Sequence, residues 1–394
     1  MPHAPPPIYL DHAANTPVRP EVREALEPFL SGAVFGHPSS VHRQGQTTRA
    51  IIERARREIA EVLQTAPSQI VFTSGGTEAD NLAVIGAALA ARAAGRPIRV
   101  AVSAIEHKAV LETAHAVSAM GGEVITLPVD VHGQVDVQAV DDALARGVSV
   151  VSIMWVNNET GVIQDVPELA GRCDAAGVPF HTDAVQSIGK IPIDLTEVPN
   201  AMVSLSGHKI GAINGVGILV VPDPSMVAPL FHGGGQQLGL RPGTENALGA
   251  VAMATAIRLA PKKQPQFEAH TLELRDTLER LVTTTVTDAV MFGAQTNRAP
   301  HISSMGFPGA DSESLLIQLD LAGIAGASGS ACNTGVVTAS HVLTAMHADP
   351  AAAVGALRFS FALSNTMEEV ERTAAVLPEI VEKTRRLTAS LERT

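Results

Sequence analysis

From about residue 69 onward, apolar and polar positions follow two different patterns that alternate along the chain. Short apolar runs rich in β-branched residues predict strands at 69–73, 98–103, 123–127, 148–156, 178–182, 202–206 and 215–221. Ala-rich or periodic stretches between them predict helices at 78–92, 107–120 and 166–176. Because strand and helix follow one another repeatedly, we expect an α/β fold with a mostly parallel sheet and helices on both of its faces.

The two ends of the chain differ from this alternating region. Two predicted helices, 21–30 and 47–63, precede it, and a long predicted helix, 244–259, follows it. Residues 260–265 (APKKQP) are polar and contain two prolines, which predicts a break after that helix and a domain boundary. The remainder predicts a smaller α+β unit with helices at 267–285, 311–320, 340–347 and 366–392 and strands at 301–307, 323–328 and 356–361. We expect a large domain at 15–260 and a small domain made of 1–14 together with 261–394.

The composition is that of a folded protein that does not bind nucleic acid directly. The chain has 394 residues, of which 45% are hydrophobic and 17% charged. Its 28 Lys and Arg against 40 Asp and Glu leave a net charge of −12, which disfavours binding to a phosphate backbone. Ten Phe, one Trp and one Tyr also leave few aromatic side chains for stacking on bases.

The cysteines and the N-terminal segment bear on metal content and location. The two cysteines, Cys173 and Cys332, do not form a CxxC pair, so we expect neither a cysteine-rich metal site nor a disulfide framework. The N-terminal MPHAPPP lacks the pattern of a secretory signal, and the longest apolar stretch, 82–91, is too short to span a bilayer. We expect a soluble cytoplasmic protein without membrane association.

Polar residues that could take part in catalysis or ligand binding follow four of the predicted strands. Open parallel sheets bind their ligands at the edge where the carboxyl ends of the strands lie. The turn SGGTE (74–78) precedes a helix and could hold a phosphate with free backbone N–H groups, or be an ordinary turn capped by Thr77. Asp183 could pair with a protonated ring nitrogen or cap a helix. Lys209 could be a desolvated imine-forming amine or a solvated lysine, and His107 a site residue or a cap.

Together these four features are more specific than each one alone. Pyridoxal 5′-phosphate requires a lysine for its Schiff base, an aspartate for its pyridinium nitrogen and a cradle for its phosphate. The order phosphate turn, His107, Asp183, Lys209 along the strand ends supplies each of these groups. The sequence therefore predicts a pyridoxal-phosphate enzyme.

The chain resembles the cysteine desulfurases of the NifS and IscS type, which belong to the class V aminotransferases. The resemblance covers nearly the whole length and rests on YLDHAANTPV (9–18), GHPSSVHRQG (36–45), VFTSGGTEADNLAV (71–84), EHKAVL (106–111), VSIMWVNNETGVIQ (151–164), HTDAVQSIGKIPIDL (181–195), SLSGHKIG (204–211), HGGGQQLGLRPGTEN (232–246), ASGSACNTG (327–335) and ALRFSFALSNT (356–366). It implies the fold type I of pyridoxal-phosphate transferases, with a seven-stranded sheet in the large domain.

The resemblance also implies roles for individual residues in cofactor binding. Lys209 would form the Schiff base, Asp183 would pair with the pyridinium nitrogen, and His107 would stack on the ring and relay protons. The other implied cofactor contacts are Gly76, Thr77, Ser206 and His208 at the phosphate, Gln186 at the ring oxygen, Asn158, and Thr244 at the phosphate of the neighbouring subunit. A homodimer would then be needed for a complete site.

The implied reaction removes sulfur from L-cysteine and leaves L-alanine. Asn158 and Arg358 would hold the substrate carboxylate, and Cys332 would attack the substrate sulfur and keep it as a persulfide. Cys332 lies in a Gly/Ser-rich segment that we expect to be an exposed loop on the small domain. Cys173 lies on a predicted helix, and we interpret it as a structural cysteine. The persulfide would pass to an acceptor protein of iron–sulfur cluster assembly or of a thiolation system.

Two other function classes remain open at this point. A selenocysteine lyase or another class V pyridoxal-phosphate enzyme would use most of the same residues, although an aminotransferase has no need of Cys332. A non-catalytic interaction protein would have no need of Lys209 or Cys332, and the chain has both.

Overall fold

The computed structural model of the chain describes residues 6–329, 331–333 and 336–391, without the side chains of 331–333, 336–337 and 390–391. The helices are α1 (Pro20–Leu30), α2 (Arg43–Val62), α3 (Gly76–Ala93), α4 (Lys108–Ala119), α5 (Val137–Ala145), α6 (Val166–Ala175), α7 (Ala247–Thr285), α8 (Ser312–Leu321), α9 (His341–Ala345), α10 (Pro350–Val354) and α11 (Met367–Leu391). The strands are β1 (Ile8–Tyr9), β2 (Ile70–Thr73), β3 (Arg99–Ser103), β4 (Glu123–Leu127), β5 (Val150–Ser152), β6 (Phe180–Asp183), β7 (Ala201–Ser206), β8 (Gly217–Val220), β9 (Val290–Met291), β10 (Ile302–Gly306), β11 (Ile324–Ala325), β12 (Ala331–Asn333), β13 (Val336–Thr338) and β14 (Ala356–Ser360).

The largest sheet has seven strands in the order β2-β8-β7-β6-β5-β3-β4. β8 runs antiparallel to both of its neighbours, and the other pairs are parallel. This arrangement confirms the expected α/β fold with a mostly parallel seven-stranded sheet. Because β2, β3, β5, β6 and β7 point the same way, the segments that follow them meet at one edge of the sheet.

Both faces of the seven-stranded sheet are covered by helices. Val71, Val100 and Val102 belong to a buried cluster with α3 and α4, whereas Phe72 and Ala101 belong to a second cluster with α2, α6 and α7. Neighbouring residues of one strand enter different clusters because successive side chains of a strand point to opposite faces. A strand that is buried on both faces has no polar alternation, which explains the continuous apolar runs of the sequence.

A second, smaller unit joins the two ends of the chain. Its three-stranded antiparallel sheet has the order β14-β10-β9, and β1 pairs in parallel with β11. A third buried cluster contains Ile8 and Leu10 together with apolar residues between 274 and 381, contributed in part by α7, α8 and α11. The N-terminal strand therefore packs with the C-terminal part of the chain.

The predicted break at 260–265 is wrong, because α7 runs without interruption from Ala247 to Thr285 and contains Pro261 and Pro265. Each proline removes one helical hydrogen bond, at a cost of about 3 kcal/mol in a helix interior. The first part of α7 buries Met253 in the core of the sheet, and its second part buries Leu274 in the smaller core. Burial at both ends offsets the local cost, so the chain passes from one core to the other inside a helix.

The predicted strand at 148–156 is too long, because β5 ends at Ser152. Beyond it, the Trp155 N–H donates to the Asp183 carbonyl at 3.0 Å, and Val156 forms an isolated bridge with Ile163. The chain thus bends over the end of β6 while Trp155 and Val156 remain buried. Burial without strand pairing explains why the run looks like one long strand in the sequence.

Other differences concern short elements. The sequence analysis did not predict α5, whose Asp136 cap accepts a hydrogen bond from the Gln138 N–H at 2.9 Å. The predicted helix at 340–347 is the shorter α9, followed by the unpredicted α10. The Gly/Ser-rich segment, expected as a loop, contains the antiparallel pair β12 and β13, in which the backbone of Cys332 lies opposite Val337.

The long helices are amphipathic. In α2, for example, Ile52 and Ile59 are buried while Arg54 and Arg57 are exposed. Within the described ranges, no helix is both long and apolar enough to cross a membrane.

Candidate active site

The segments that follow the parallel strands surround a cavity of about 370 Å³ at the carboxyl edge of the large sheet. Its lining consists of Ala13, Ala14, Gly76, Thr77, Asp80, His107, Met154, Asn158, Asp183, Val185, Gln186, Ser206, His208, Lys209 and Arg358. Ten of these residues are ones that the sequence analysis singled out: Gly76, Thr77, His107, Asn158, Asp183, Gln186, Ser206, His208, Lys209 and Arg358. They come from six separate segments. Five of these lie at the ends of parallel strands and meet because those strands end at the same edge, and the sixth, with Arg358, comes from β14 of the smaller unit.

One end of the cavity has the features of an anion site. The helix α3 begins at Gly76, so the unpaired N–H groups of its first turn face the cavity together with the positive end of its dipole. A Cβ atom on Gly76 would lie 3.0 Å from the Val185 side chain and 3.5 Å from Ser206 Cβ, so the glycine permits a close approach of these segments. Ser206 Oγ and His208 Nδ1 lie 2.9 Å apart beside it.

Lys209 follows β7, and its ammonium group lies against a backbone turn near the N-terminus. Its Nζ donates to the Ala13 and Ala14 carbonyls at 2.7 and 2.6 Å. Burial, reinforced by the positive charge of Arg358, lowers the pKa of Lys209 to about 8. A lysine with this pKa has a far larger neutral fraction near pH 7 than a solvated lysine, as an imine-forming amine requires.

Asp183 is the last residue of β6 and is buried beneath the cavity. Its Oδ1 accepts a hydrogen bond from the Val185 N–H at 2.9 Å and so caps a turn; the alternative that Asp183 caps a helix is wrong, because residues 185–190 form turns. Burial raises the pKa of Asp183, while His107, Lys209 and Lys190 oppose that shift. An additional cationic partner for Asp183 is therefore favoured electrostatically.

His107 caps α4 and lines the cavity at the same time. Its Nδ1 accepts from the Ala109 N–H at 3.1 Å, so the proton of the neutral ring is on Nε2. Burial lowers the pKa of His107, and Asp183 opposes that shift. The histidine is thus held in a fixed orientation in a single neutral tautomer.

Arg358, on β14, brings the smaller unit to the cavity. One terminal nitrogen donates to Asp11 Oδ1 at 2.7 Å, and the other donates to the Asn158 carbonyl at 2.8 Å. The Nε atom of Arg358 is buried and has no hydrogen-bond partner among the described residues. Gln186 is anchored in the same region, where its Nε2 donates to the Ala13 carbonyl at 2.8 Å.

The sequence analysis missed Asp80, Glu106 and His181, which are buried and titratable: Asp80 lines the cavity, and Glu106 and His181 come just before His107 and Asp183 in the chain. Asp80 Oδ1 lies 3.6 Å from His181 Nε2 and has no hydrogen-bond partner in the part of the chain that the structure describes. Burial raises the pKa of Asp80 and of Glu106, and burial lowers the pKa of His181 to about 3. A charged residue on the apolar face of a helix was the signal for Asp80, since it lies four residues after Gly76 and three before Ala83.

Thr244 and Cys173 are not among the described residues that line this cavity, and the position of the Cys332 side chain is not described. Thr244 is exposed, and its hydroxyl lies 3.3 Å from His37 Nε2. The side chain of Cys332 falls outside the described part of the chain, whose backbone places this residue in β12. Cys173 is buried in α6 with a free thiol, and burial raises its pKa to about 12.

The site offers nitrogen and hydroxyl donors rather than a metal-binding cluster. Among the residues that the structure describes, no group of three or more His, Cys, Asp or Glu side chains could hold a metal ion. An anion cradle, a lysine with a lowered pKa and a buried aspartate instead share one cavity. This set suits an organic cofactor with a phosphate, an aldehyde and a basic ring nitrogen.

Comparison with known proteins gives the same family over most of the chain. The family model "Aminotransferase class-V" matches residues 8–373. The cysteine desulfurase IscS of Dictyoglomus turgidum is 40% identical over 378 residues, covering 96% of this chain and 95% of the relative. The cysteine desulfurase NifS of Azotobacter vinelandii is 38% identical and covers 96% of this chain and 93% of the relative. A solved structure of a NifS-like protein superposes with a TM-score of 0.88 at 33% identity, covering 95% of this chain and 99% of that one.

Proposed function

The chain belongs to the class V aminotransferase family, and from that premise we propose how its residues carry out the cysteine desulfurase reaction. The protein is a pyridoxal-phosphate enzyme that acts on L-cysteine and delivers sulfur to an acceptor protein. The observation that carries the residue assignments is the meeting of ten predicted site residues in one cavity, with the lowered pKa of Lys209 among them.

The cavity residues suit pyridoxal phosphate group by group. The start of α3 at Gly76 and Thr77, with Ser206 and His208, would hold the phosphate, because these are the donors at the anion-binding end. The close packing that Gly76 permits against Val185 and Ser206 supports this cradle. Asp183 would hold the ring nitrogen, since a protonated nitrogen compensates its buried charge. His107 would lie on the ring, with Gln186 at the ring oxygen and Asn158 beside it.

Lys209 and His107 would hold and move the protons of the reaction. When bound, the cofactor supplies an electron-withdrawing ring that takes up electrons released at the substrate α-carbon. Lys209 would bind the cofactor as a neutral amine, and later remove and return the proton at that carbon; its pKa of about 8 suits both tasks. His107, neutral with its proton on Nε2, would supply a second proton donor.

Arg358 and Asn158 would bind the substrate carboxylate. Arg358 lines the cavity and has a buried Nε without a partner among the described residues. Asp11 and the Asn158 carbonyl fix the plane of its guanidinium. A fixed planar fork suits a bidentate carboxylate, and the tether to Asp11 limits the entropy lost on binding.

Cys332 would take the sulfur. Its thiolate attacks the substrate sulfur, the substrate C–S bond breaks, and an S–S bond forms at Cys332. The electron pair of the broken bond stays with the carbon fragment, which gains protons and leaves as alanine. Support comes from the backbone of Ala327, which exchanges two hydrogen bonds with Arg358 at 3.0 and 2.7 Å and so starts the Cys332 segment at the cavity. The acceptor we propose is a protein of iron–sulfur cluster assembly or of a thiolation system.

We further propose a homodimer in which Thr244 reaches the phosphate in the partner's site. Thr244 is exposed and its hydroxyl lies 3.3 Å from His37 Nε2, and the two chain segments that contain these residues, 35–37 and 231–244, also expose Phe35, Phe231 and Leu238. A second copy of the chain would bury this apolar surface. Mixing Thr244→Val protein with Lys209→Ala protein tests the arrangement, because a mixed dimer then has one complete site. We expect mixing to restore cofactor affinity that Thr244→Val alone lacks, and no restoration would assign Thr244 to its own chain.

The division into domains at 15–260 and at 1–14 with 261–394 also stays a proposal. Its support is that the smaller buried cluster draws Ile8 and Leu10 from the N-terminus and its other members from 274–381. Limited proteolysis that yields a stable fragment joined by β1 to the C-terminal part would support the division.

The first experiment compares L-alanine and sulfide release from L-cysteine in the presence of a reducing thiol. Cofactor-loaded wild-type protein should release both in equal amounts, and Cys332→Ala should release neither while it keeps the visible absorbance of the cofactor. Cys173→Ala is the matched control, because that thiol is buried in α6 away from the cavity and should be dispensable. Release of sulfide by Cys332→Ala at the wild-type rate would contradict the role of Cys332.

A further inference from the structure

Glu159 contacts both ends of the segment that carries Cys332. The hydroxyl of Ser340 donates to Glu159 Oε2 at 2.5 Å. At the other end, a Cβ atom built on Gly329 would overlap the same Oε2 and the carboxyl carbon of Glu159. The backbone at Gly329 and the side chain of Ser340 therefore meet at one carboxylate group, although eleven positions separate them in the sequence.

Glu159 is itself held in a rigid turn. It is only 8% exposed, and its N–H donates to Asn157 Oδ1 at 3.0 Å. The same oxygen accepts from the Thr160 N–H at 2.9 Å, and Asn157 Nδ2 donates to the Ile105 carbonyl at 2.9 Å. These hydrogen bonds fix the backbone from which the Glu159 side chain extends, and the hydrogen bond from Ser340 holds its carboxylate.

The turn also belongs to the proposed substrate site. Asn158 precedes Glu159 and accepts from Arg358 through its carbonyl. Arg358 in turn pairs through its backbone with Ala327, two residues before Gly329. The residues that flank β12 and β13 therefore contact Arg358, one of the proposed carboxylate-binding residues, and Glu159, the neighbour of the other, Asn158.

We infer that Glu159 is a positioning residue: it holds Gly329 and Ser340, which flank the strand pair β12–β13, next to Asn158, and through them it positions Cys332 for attack on the substrate. The inference rests on the proposed role of Cys332. Glu159 does not touch the substrate; it acts through Gly329 and Ser340. A side chain at position 329 would overlap the Glu159 carboxylate and displace it from its present place beside Ser340.

Two separate readouts distinguish this role from a general effect on the site. The first is exchange of the L-cysteine or L-alanine α-proton with deuterium, which depends on Lys209 and the cofactor but not on Cys332. The second is single-turnover persulfide formation on Cys332, measured by mass spectrometry without a reductant. We expect Glu159→Ala and Gly329→Ala to reduce persulfide formation tenfold or more while α-proton exchange stays within about threefold of wild type.

The double variant Glu159→Ala/Gly329→Ala is the decisive comparison. Removal of the carboxylate leaves room for the methyl group, so the double variant should form persulfide no more slowly than Glu159→Ala alone. Glu159→Gln should keep most of the rate, since its oxygen still accepts from Ser340. Gly171→Ala is the control for a glycine change, because a Cβ there meets no atom within 4 Å.

The outcomes separate this inference from the function on which it rests. Wild-type rates of persulfide formation in Glu159→Ala and Gly329→Ala would overturn the inference and leave the proposed function intact. A parallel loss of α-proton exchange would also overturn it, because Glu159 would then act on the whole site. If the fold-losses in persulfide formation of the two single variants multiply in the double variant, the two residues act independently. That result would contradict the inference. If neither wild type nor Gly171→Ala forms a persulfide, the proposed role of Cys332 is overturned, and the inference that rests on it falls as well.

Discussion

Lys190 donates a hydrogen bond of 2.5 Å to the side-chain oxygen of Gln186, four residues earlier. Because Gln186 Nε2 also donates to the Ala13 carbonyl, both ends of this amide have fixed partners. The amide nitrogen keeps one hydrogen for a ligand in the cavity. Lys190 is buried, and burial together with the charges of Lys209 and Arg358 lowers its pKa well below that of a solvated lysine.

We expect Lys190→Met to weaken pyridoxal-phosphate binding by about 5- to 30-fold, which corresponds to about 1–2 kcal/mol for one misplaced hydrogen bond. Without Lys190, the side-chain oxygen of Gln186 loses its partner, and the hydrogen bond to the Ala13 carbonyl alone orients the amide nitrogen less firmly toward the cofactor. Titration of cofactor-free protein, followed by visible absorbance, measures the effect. Lys262→Met changes an exposed lysine of α7 and serves as the matched control. Equal affinities of the two variants would contradict the orienting role of Lys190.

Cofactor capture should report the lowered pKa of Lys209. Only the neutral amine attacks an aldehyde, so the capture rate of cofactor-free protein should rise about tenfold per pH unit up to the pKa and then level off. With a pKa of about 8 for Lys209, we expect the plateau to begin near pH 8. Stopped-flow absorbance over a pH series tests this expectation. A rate that still climbs tenfold per unit above pH 9.5 would show that Lys209 behaves like a solvated lysine.

Gln237 should be a determinant of stability, although it lies outside the cavity. Its Oε1 accepts from the buried Phe72 N–H at 2.9 Å and from Arg56 Nη1 at 3.2 Å. Gln237→Ala leaves both donors without this partner, which we expect to lower the free energy of unfolding by about 2–4 kcal/mol. Urea unfolding at a fixed protein concentration measures it, with the exposed Gln138→Ala as the control. A loss below about 0.5 kcal/mol would mean that water replaces the amide.

His181 should make the fold sensitive to acid. Burial lowers its pKa to about 3, whereas the unfolded chain has the ordinary value of about 6.5. Below pH 6.5 the unfolded state therefore binds a proton that the folded state does not, and the folded state loses stability as the pH falls. Between pH 6.5 and 5 the free energy of unfolding should fall by about 2 kcal/mol relative to His181→Gln.

Comparison with His181→Gln isolates this effect from the buried carboxyls. Burial raises the pKa of Asp80 and Glu106, so their effect on stability has the opposite sign: it weakens the fold as the pH rises above their ordinary range. Parallel pH profiles of wild type and His181→Gln in urea unfolding would show that His181 is not kept neutral by the fold.

Local sequence patterns were sufficient for the sheet and for the residues at its carboxyl edge. Short β-branched runs and Ala-rich helices have different periods, so the order of strands and helices could be predicted. Lys209, Asp183 and His107 each follow a predicted strand, and parallel strands bring their ends together. The resemblance to a family then supplied what spacing alone left open, including Asn158, Arg358 and Thr244.

Local patterns failed where burial or packing at a distance overrides propensity. Pro261 and Pro265 predict a break, yet α7 continues because each of its halves is buried in a different core. The run 148–156 is apolar because it is buried, and only β5 within it pairs as a strand. Propensity describes a segment by itself, whereas these outcomes depend on partners from other parts of the chain.

The sequence by itself determined the α/β architecture, the mostly parallel sheet and the chemical groups available at its edge, because these depend on periodicity and on the order of elements. Only the tertiary structure decided the electrostatics and the long-range contacts. These are the lowered pKa of Lys209, the neutral His181 beside Asp80, and the contact of Glu159 with Gly329. Each of these depends on burial and on distances of a few ångströms between residues far apart in the chain, and no local pattern encodes such distances.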